Sequence, residues 1–238
     1  MAACSLVGCG NKSDNAANND ALKITMVTSV GGVTIAYNDA KSPLYPVAYG
    51  TDSLTWEGKQ LTRYTYSGGY YDFRYNEEGL RVYKKNHLGQ ITRYFYDGDR
   101  LITEINPSNR LDFLYDEQGQ LFGLVYNNDK KYFYIRDMLQ NILGIVDESG
   151  NLVVKYSYNA YGVVTITSDT SGINLGVNNP IRYKGYYYDK DLSMYYCNSR
   201  YYNPMWCRFI SPDSIEYLEP ESINGLNPYA YCMNDPVM

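Results

Sequence analysis

The chain has 238 residues, with 45% hydrophobic and 20% charged positions, enough for one large β domain or two small ones. Its formal net charge of −5 argues against a nucleic-acid surface, which needs clustered Lys and Arg to neutralise phosphates. No run of 18 apolar residues occurs, so no transmembrane helix is expected. The unusual total is 29 tyrosines, a residue that favours strands and half-buried pleated faces.

Residues 1–20 read as a polar leader, rich in Asn, Asp, Ala and Ser in its second half, without a core-forming pattern. Leu6-Val7-Gly8-Cys9 matches a lipoprotein cleavage pattern and makes Cys9 a lipidation candidate. Against that, a signal peptide needs a basic start and an apolar stretch of about 7–15 residues. Only five residues precede Leu6, and none is basic. The other reading is a disordered leader.

Residues 21–178 read as an array of β-hairpins. The β-branched runs Ile24–Val27 and Val33–Tyr37 flank Gly31-Gly32, which predicts a hairpin. Pro43 and Pro46 are expected to interrupt regular pairing. From Leu54 a unit recurs: a β run, an Asp/Asn-x-x-Gly turn and another β run. The turns are Asn76–Gly79, Asn86–Gly89, Asp116–Gly119 and Asp147–Gly150, with a tighter Asp97-Gly98 turn between. Asp or Asn at the first position hydrogen-bonds the backbone two residues on, and Gly at the last accepts positive φ. Tyr75, Tyr96, Tyr115 and Tyr134 are spaced 21, 19 and 19 residues apart. A period near 20 marks a repeat array in which each hairpin buries a face against the next. No segment holds a 3.6-residue period, so long helices are not expected. Thr165–Asn179, rich in Ser, Thr, Gly and Asn, reads as a linker.

Residues 179–238 cluster their tyrosines as Tyr186-Tyr187-Tyr188, Tyr195-Tyr196 and Tyr201-Tyr202. Pro212 in Ser211–Glu216 and the segment from Asn227 to Cys232 are each placed to open a short helix. The four dispersed pieces Arg182–Asp189 (RYKGYYYD), Ser199–Pro204 (SRYYNP), Arg208–Asp213 (RFISPD) and Asn227–Tyr231 (NPYAY) resemble the RHS repeat-associated core domain, which closes the shells of bacterial polymorphic toxins. The hairpins resemble the YD repeat, the Tyr-Asp pair standing here as Tyr96-Asp97 and Tyr115-Asp116.

The resemblance implies an all-β fold: tandem hairpins forming a curled sheet or partial shell, with a core segment carrying short helices. It implies a structural, encapsulating role rather than an enzyme. Family cores cleave themselves with an aspartate dyad, two carboxylates sharing a proton. The first family position falls on Asp213; the second belongs to an Asp-Pro-x-Gly motif, and the chain stops at Asn234–Met238, short of it. The expectation is a truncated or orphan module without toxin cargo, with Asp213 structural unless a longer C-terminus supplies the second aspartate. Cys207 stands where family members carry Gly, and Leu192-Ser193-Met194 where they carry Thr-Gly-Leu; if those positions have positive φ, each replacement costs about 1 kcal/mol.

Partners implied are neighbouring YD repeats or a second copy through open edge strands, and a C-terminal toxin in a longer form. A second hypothesis is a cell-surface carbohydrate-binding module, with Tyr186, Tyr187 and Tyr188 as sugar-stacking rings. The family points to an extracellular or envelope location. No cofactor and no metal is expected: the five cysteines form no CxxC pair and His87 is the single histidine. Cys197 and Cys207 read either as a disulfide or, preferably, as two buried thiols. His87 and the turn carboxylates Glu77-Glu78 and Asp116-Glu117 read as solvated turn residues.

Overall fold

The computed structural model describes residues 28–38, 42–213, 227–232 and 236. The leader with Cys9, the strand expected at Ile24–Val27, most of the helix expected at Ser211–Glu216, and Asp235 lie outside the described residues.

Fifteen strands form one antiparallel meander in sequence order. They are β1 (Ser29–Val30), β2 (Val33–Asn38), β3 (Ser42–Tyr49), β4 (Asp52–Glu57), β5 (Gln60–Tyr66), β6 (Gly69–Tyr75), β7 (Arg81–Asn86) and β8 (Ile91–Asp97) in the first half. The second half comprises β9 (Arg100–Ile105), β10 (Arg110–Tyr115), β11 (Leu121–Tyr126), β12 (Lys130–Arg136), β13 (Ile142–Asp147), β14 (Leu152–Tyr158) and β15 (Val164–Asp169). A second sheet of four short strands follows: β16 (Tyr187–Asp189), β17 (Met194–Cys197), β18 (Arg200–Asn203) and β19 (Arg208–Phe209).

The turns form as their chemistry dictates. In the Asp116 turn the carboxylate accepts from the amides of Gln118 (3.0 Å) and Gln120 (2.7 Å), and Gly119 takes φ +77. The Asn76, Asn86 and Asp147 turns repeat the pattern, with each final Gly at φ near +82. Two further turns of this kind, not singled out from the sequence, occur at Asp137–Gln140 and Asn159–Gly162; in the first, Gln140 accepts φ +66 where the other turns carry Gly. Gly31-Gly32 turns β1 into β2 with Val30 opposite Val33.

The period-20 tyrosines stitch hairpin to hairpin. Hydroxyls of Tyr75, Tyr96 and Tyr115 donate to the carbonyls of Leu61, Arg81 and Leu101, 14 or 15 residues back, at 2.8–3.1 Å. Tyr134 departs and donates to Asn179 Oδ1 instead (2.7 Å), tying the sheet to the C-terminal segment.

Pro43 and Pro46 interrupt regular pairing, as expected: both lie within β3, and its register against Ala36–Asn38 of β2 shifts twice. The Thr165–Asn179 stretch is not a loose linker; it begins with β15 and continues into the helical turn α1 (Leu175–Asn178), where Leu175 is fully buried. From Asn227 the described residues form a turn and a bridge, Ala230 to Arg208, with Cys232 in 3-10 conformation; the continuation of the expected helix lies outside the described residues. Among the described residues, helical pieces also occur at α1 and at a 3-10 turn, Tyr183–Gly185.

The second sheet fills the inner face of the first. One core joins Ile35, Leu54, Leu61 and Phe73 to Met194, Tyr201, Trp206 and Ile210. Another joins Leu111, Leu124, Ile142 and Val154 to Leu175 and Ile181. A third is aromatic: Tyr183, Tyr195, Tyr202, Phe209 and Tyr231. The long sheet therefore curls around the C-terminal segment, which touches it near both ends: Tyr229 donates to the Leu44 carbonyl of β3, and Tyr202 to that of Tyr161 beyond β14.

Candidate functional site

At the centre of the inner face, β7 presents both Arg81 and Lys84 inward; the register shift between the Arg74–Tyr83 and Tyr75–Arg81 pairs of β6 and β7 leaves Val82 as an extra residue, and this bulge brings two side chains three positions apart onto one face. Arg81 is 1% exposed. Its Nη1 donates to Asp189 Oδ2 (2.6 Å) and to the Tyr201 hydroxyl (3.0 Å), and its backbone amide donates to the Tyr196 hydroxyl. Lys84 donates to Asp189 (2.9 Å) and Asp191 (2.7 Å). Tyr94 and Tyr196 rings lie 4.7 Å from the guanidinium carbon, with Tyr187 at 5.1 Å, in cation–π contact.

Ionisation follows from this packing. Burial works to raise the Asp189 pKa, but Lys84 and Arg81 outweigh it and hold the carboxyl down to about 2. Glu104 moves the other way, pushed up by burial; Tyr187 donates to it at 2.9 Å. Two carboxylates on one face thus have opposite tendencies, set by whether cations face them directly.

Beside the cluster opens a cleft of about 380 Å³ between β7–β13 and the C-terminal segment. Among the described residues its walls carry Arg81, Arg100, Arg136 and Lys184 against one acid, Asp99, with Tyr94, Tyr96, Tyr115, Tyr186, Tyr187 and Tyr196 between them.

The sequence candidates fall as follows. Asp213 pairs with Arg200 at 2.7 Å, and its amide donates to the Pro228 carbonyl. Tyr187 is engaged by Tyr94 edge to face, by Arg81 and by Glu104; Tyr188 packs on Arg182 and Tyr195. The triplet is half-buried and does not form a three-ring platform toward solvent. Cys197, Cys207 and Cys232 carry thiols, not disulfides. His87 is exposed in the turn after β7. Arg81 and Lys84 were not singled out from the sequence. The available signal was two basic residues placed three apart inside a strand-like run, against an Asp189 closing the RYKGYYYD piece.

Residues 32–237 match the model of the Teneurin YD-shell. The chain belongs to this family. The YD-shell assignment is accompanied by similarity to tRNA nuclease WapA of Bacillus subtilis, 35% identical over 199 residues, covering 79% of this chain and 8% of WapA. Teneurin-3 of Mus musculus is 26% identical over 173 residues, 69% of this chain and 6% of the relative. The Photorhabdus luminescens Tc holotoxin pore shares the fold, with a TM-score of 0.66 at 20% identity over 84% of this chain and 10% of that one. The chain thus spans under a tenth of the length of the curated relatives named. The RHS/YD resemblance and the all-β curled sheet hold, and the chain is a YD-shell module.

Proposed function

We propose that this YD-shell module is the closing section of a larger shell, a scaffold that joins neighbouring YD hairpins and encloses or displays a polypeptide carried C-terminally in a longer form. The observation carrying this reading is that residues 187–210 lie across the inner face of the sheet, locked to β7 by Asp189, Tyr196 and Tyr201. Such a segment closes the concave side, while β1 and β15, the two ends of the sheet among the described residues, offer edges for further strands. The relatives support a toxin context: WapA is a tRNA nuclease, and the matched fold is that of a Tc holotoxin. An extracellular or envelope site of action goes with that context.

Self-cleavage is the reading we set aside. It needs a second carboxylate facing Asp213, which a longer C-terminus would have to supply; among the described residues Asp213 pairs with Arg200. The carbohydrate reading loses its platform because Tyr187 and Tyr188 are engaged within the protein. Sedimentation at micromolar concentration tests the scaffold reading. Species larger than the 27.3 kDa chain are expected, and a sharp monomer would overturn edge-mediated assembly.

A further inference from the structure

Arg81 uses only part of its hydrogen-bonding capacity. Its Nη1 is committed to Asp189 and Tyr201, and its two faces to tyrosine rings. Nε and Nη2 have no hydrogen-bond partner among the described residues, although both are buried. These two nitrogens form one edge of the guanidinium, with parallel N–H bonds in the geometry of a carboxylate. The same edge is used elsewhere in this chain. Arg63 Nε and Nη2 hold the two oxygens of Asp72 at 2.6 and 3.1 Å, and Arg110 Nε and Nη2 hold those of Asp112, both at 2.7 Å. A buried donor pair left unmatched is costly, so an acceptor is expected where the side chain borders open space. Arg81 borders the 380 Å³ cleft.

The rest of the cleft selects the same chemistry. Of the charges lining it, Arg100 is paired with Asp97, Arg136 donates to the neutral Gln140, and Lys184 Nζ lies 3.5 Å from Cys232 Sγ. Among the described residues Asp99 is the one acid lining the cleft. Tyr96 and Tyr115 give their hydroxyls to the carbonyls of Arg81 and Leu101, so they offer ring faces rather than free hydroxyls. Gln120, Gln140 and Asn198 add amides that match a peptide backbone.

We infer that this cleft is a binding site for an acidic peptide segment, with one Asp or Glu carboxylate held side-on by Arg81 Nε and Nη2, and with Arg136 and Lys184 supplying attraction at the mouth. The inference concerns the cleft of this chain and does not depend on completion of a shell.

Calorimetric titration of the full chain tests it with three probes: a capped tetraglutamate peptide, the matching tetraglutamine peptide and inorganic phosphate. The glutamate peptide is expected to bind and the glutamine peptide to fail. Arg81→Lys keeps a cation against Asp189 but removes the fork, and should weaken glutamate binding by about tenfold or more, the loss expected for a charged hydrogen-bonded pair. Arg136→Gln with Lys184→Gln alters only partly exposed groups. It should weaken binding several-fold, flatten its salt dependence and leave the melting temperature unchanged, which keeps the test valid if Arg81→Lys fails to fold. Equal binding of both peptides, binding of phosphate alone, or affinity indifferent to the double substitution would each overturn the assignment.

Discussion

At the scale of single residues, the decisive group is Asp189. It is 1% exposed and holds two buried cations on one carboxylate. Removing it leaves Arg81 and Lys84 uncompensated, and breaking such a pair costs about 3–5 kcal/mol. Asp189→Asn is therefore expected to lower stability by that order in denaturant titration. The pH dependence has a definite direction. The folded carboxyl sits at about 2, below the roughly 3.9 of an unfolded aspartate, so the contribution is full above about pH 4 and is lost as pH falls toward 2. Glu104 acts oppositely: its raised pKa means that stability declines as pH rises through its folded value. An acid melt of the wild type and of Asp189→Asn isolates the Asp189 contribution: Asp112 and Asp147 are held low in both, so the wild type should lose stability more steeply than the variant between about pH 4 and 2. This residue was hidden in the sequence by its neighbours. The motif containing Asp189 was legible, but Tyr186, Tyr187 and Tyr188 drew attention as ligand rings. Whether a tyrosine faces solvent or an arginine depends on a partner more than 80 residues away, here Glu104 and Arg81.

At the scale of elements, the hairpin turns were the most legible part because their chemistry is local. Asp116 and Gly119 determine their own turn through two amides and one positive φ, and no distant contact is needed. The same logic marks two strained positions. Cys207 at φ +56 and Ser193 at φ +55 occupy the left-handed region without being glycine. Cys207→Gly and Ser193→Gly should each raise stability by up to about 1 kcal/mol, read as higher melting temperatures; an unchanged melt for both would remove the strain argument. The Asn159–Gly162 turn is the reverse case. Its Ala160, Tyr161 and Gly162 carbonyls accept the hydroxyls of Tyr183, Tyr202 and Tyr195 at 2.7–2.8 Å. Gly162 has φ +86, and a Cβ there would lie 2.6 Å from the buried Tyr183 ring. Gly162→Ala should cost about 2–4 kcal/mol, combining backbone strain with overpacking, against little effect of an alanine at the open Ser149. That this turn serves as a socket was not legible, since its sequence differs little from the solvated turns. The role of the linker-like Ser/Thr stretch was missed for a related reason: polar composition masked β15, whose inner residue Ile166 packs in the second core.

At the scale of the whole molecule, the all-β curl was legible from period and composition, and the manner of closure was not. Which segment fills a concave sheet is a matter of long-range packing, and no local pattern reports it. The filling is tyrosine-rich, which gives the molecule an alkaline limit. Burial pushes Tyr115, Tyr183 and Tyr186 up to about 12, and raises Tyr187 and Tyr201 well above the ordinary phenol value. Unfolded tyrosines ionise near 10 and release protons the folded state retains, so stability should fall as pH rises past about 10. Phenolate absorbance followed with pH is expected to rise in two steps, the exposed rings first and the buried rings together with loss of the near-ultraviolet dichroism. A single smooth step with dichroism intact would show the inner rings to be solvent-accessible.

The Arg81–Asp189 pair joins residues 108 apart in sequence. During synthesis, β7 leaves the ribosome well before its counter-charge exists. At about 5–20 residues per second, that interval is roughly 5–20 s. Throughout it the inner face is unfilled, with two cations and a wall of tyrosines uncovered. The segment that completes the core is made after the sheet it covers, so the arc must persist as an open, half-neutralised surface until residues 187–210 are translated. A segment lying upstream in a longer form would have access to that face during the delay, whereas a polypeptide carried C-terminally would not yet have been made.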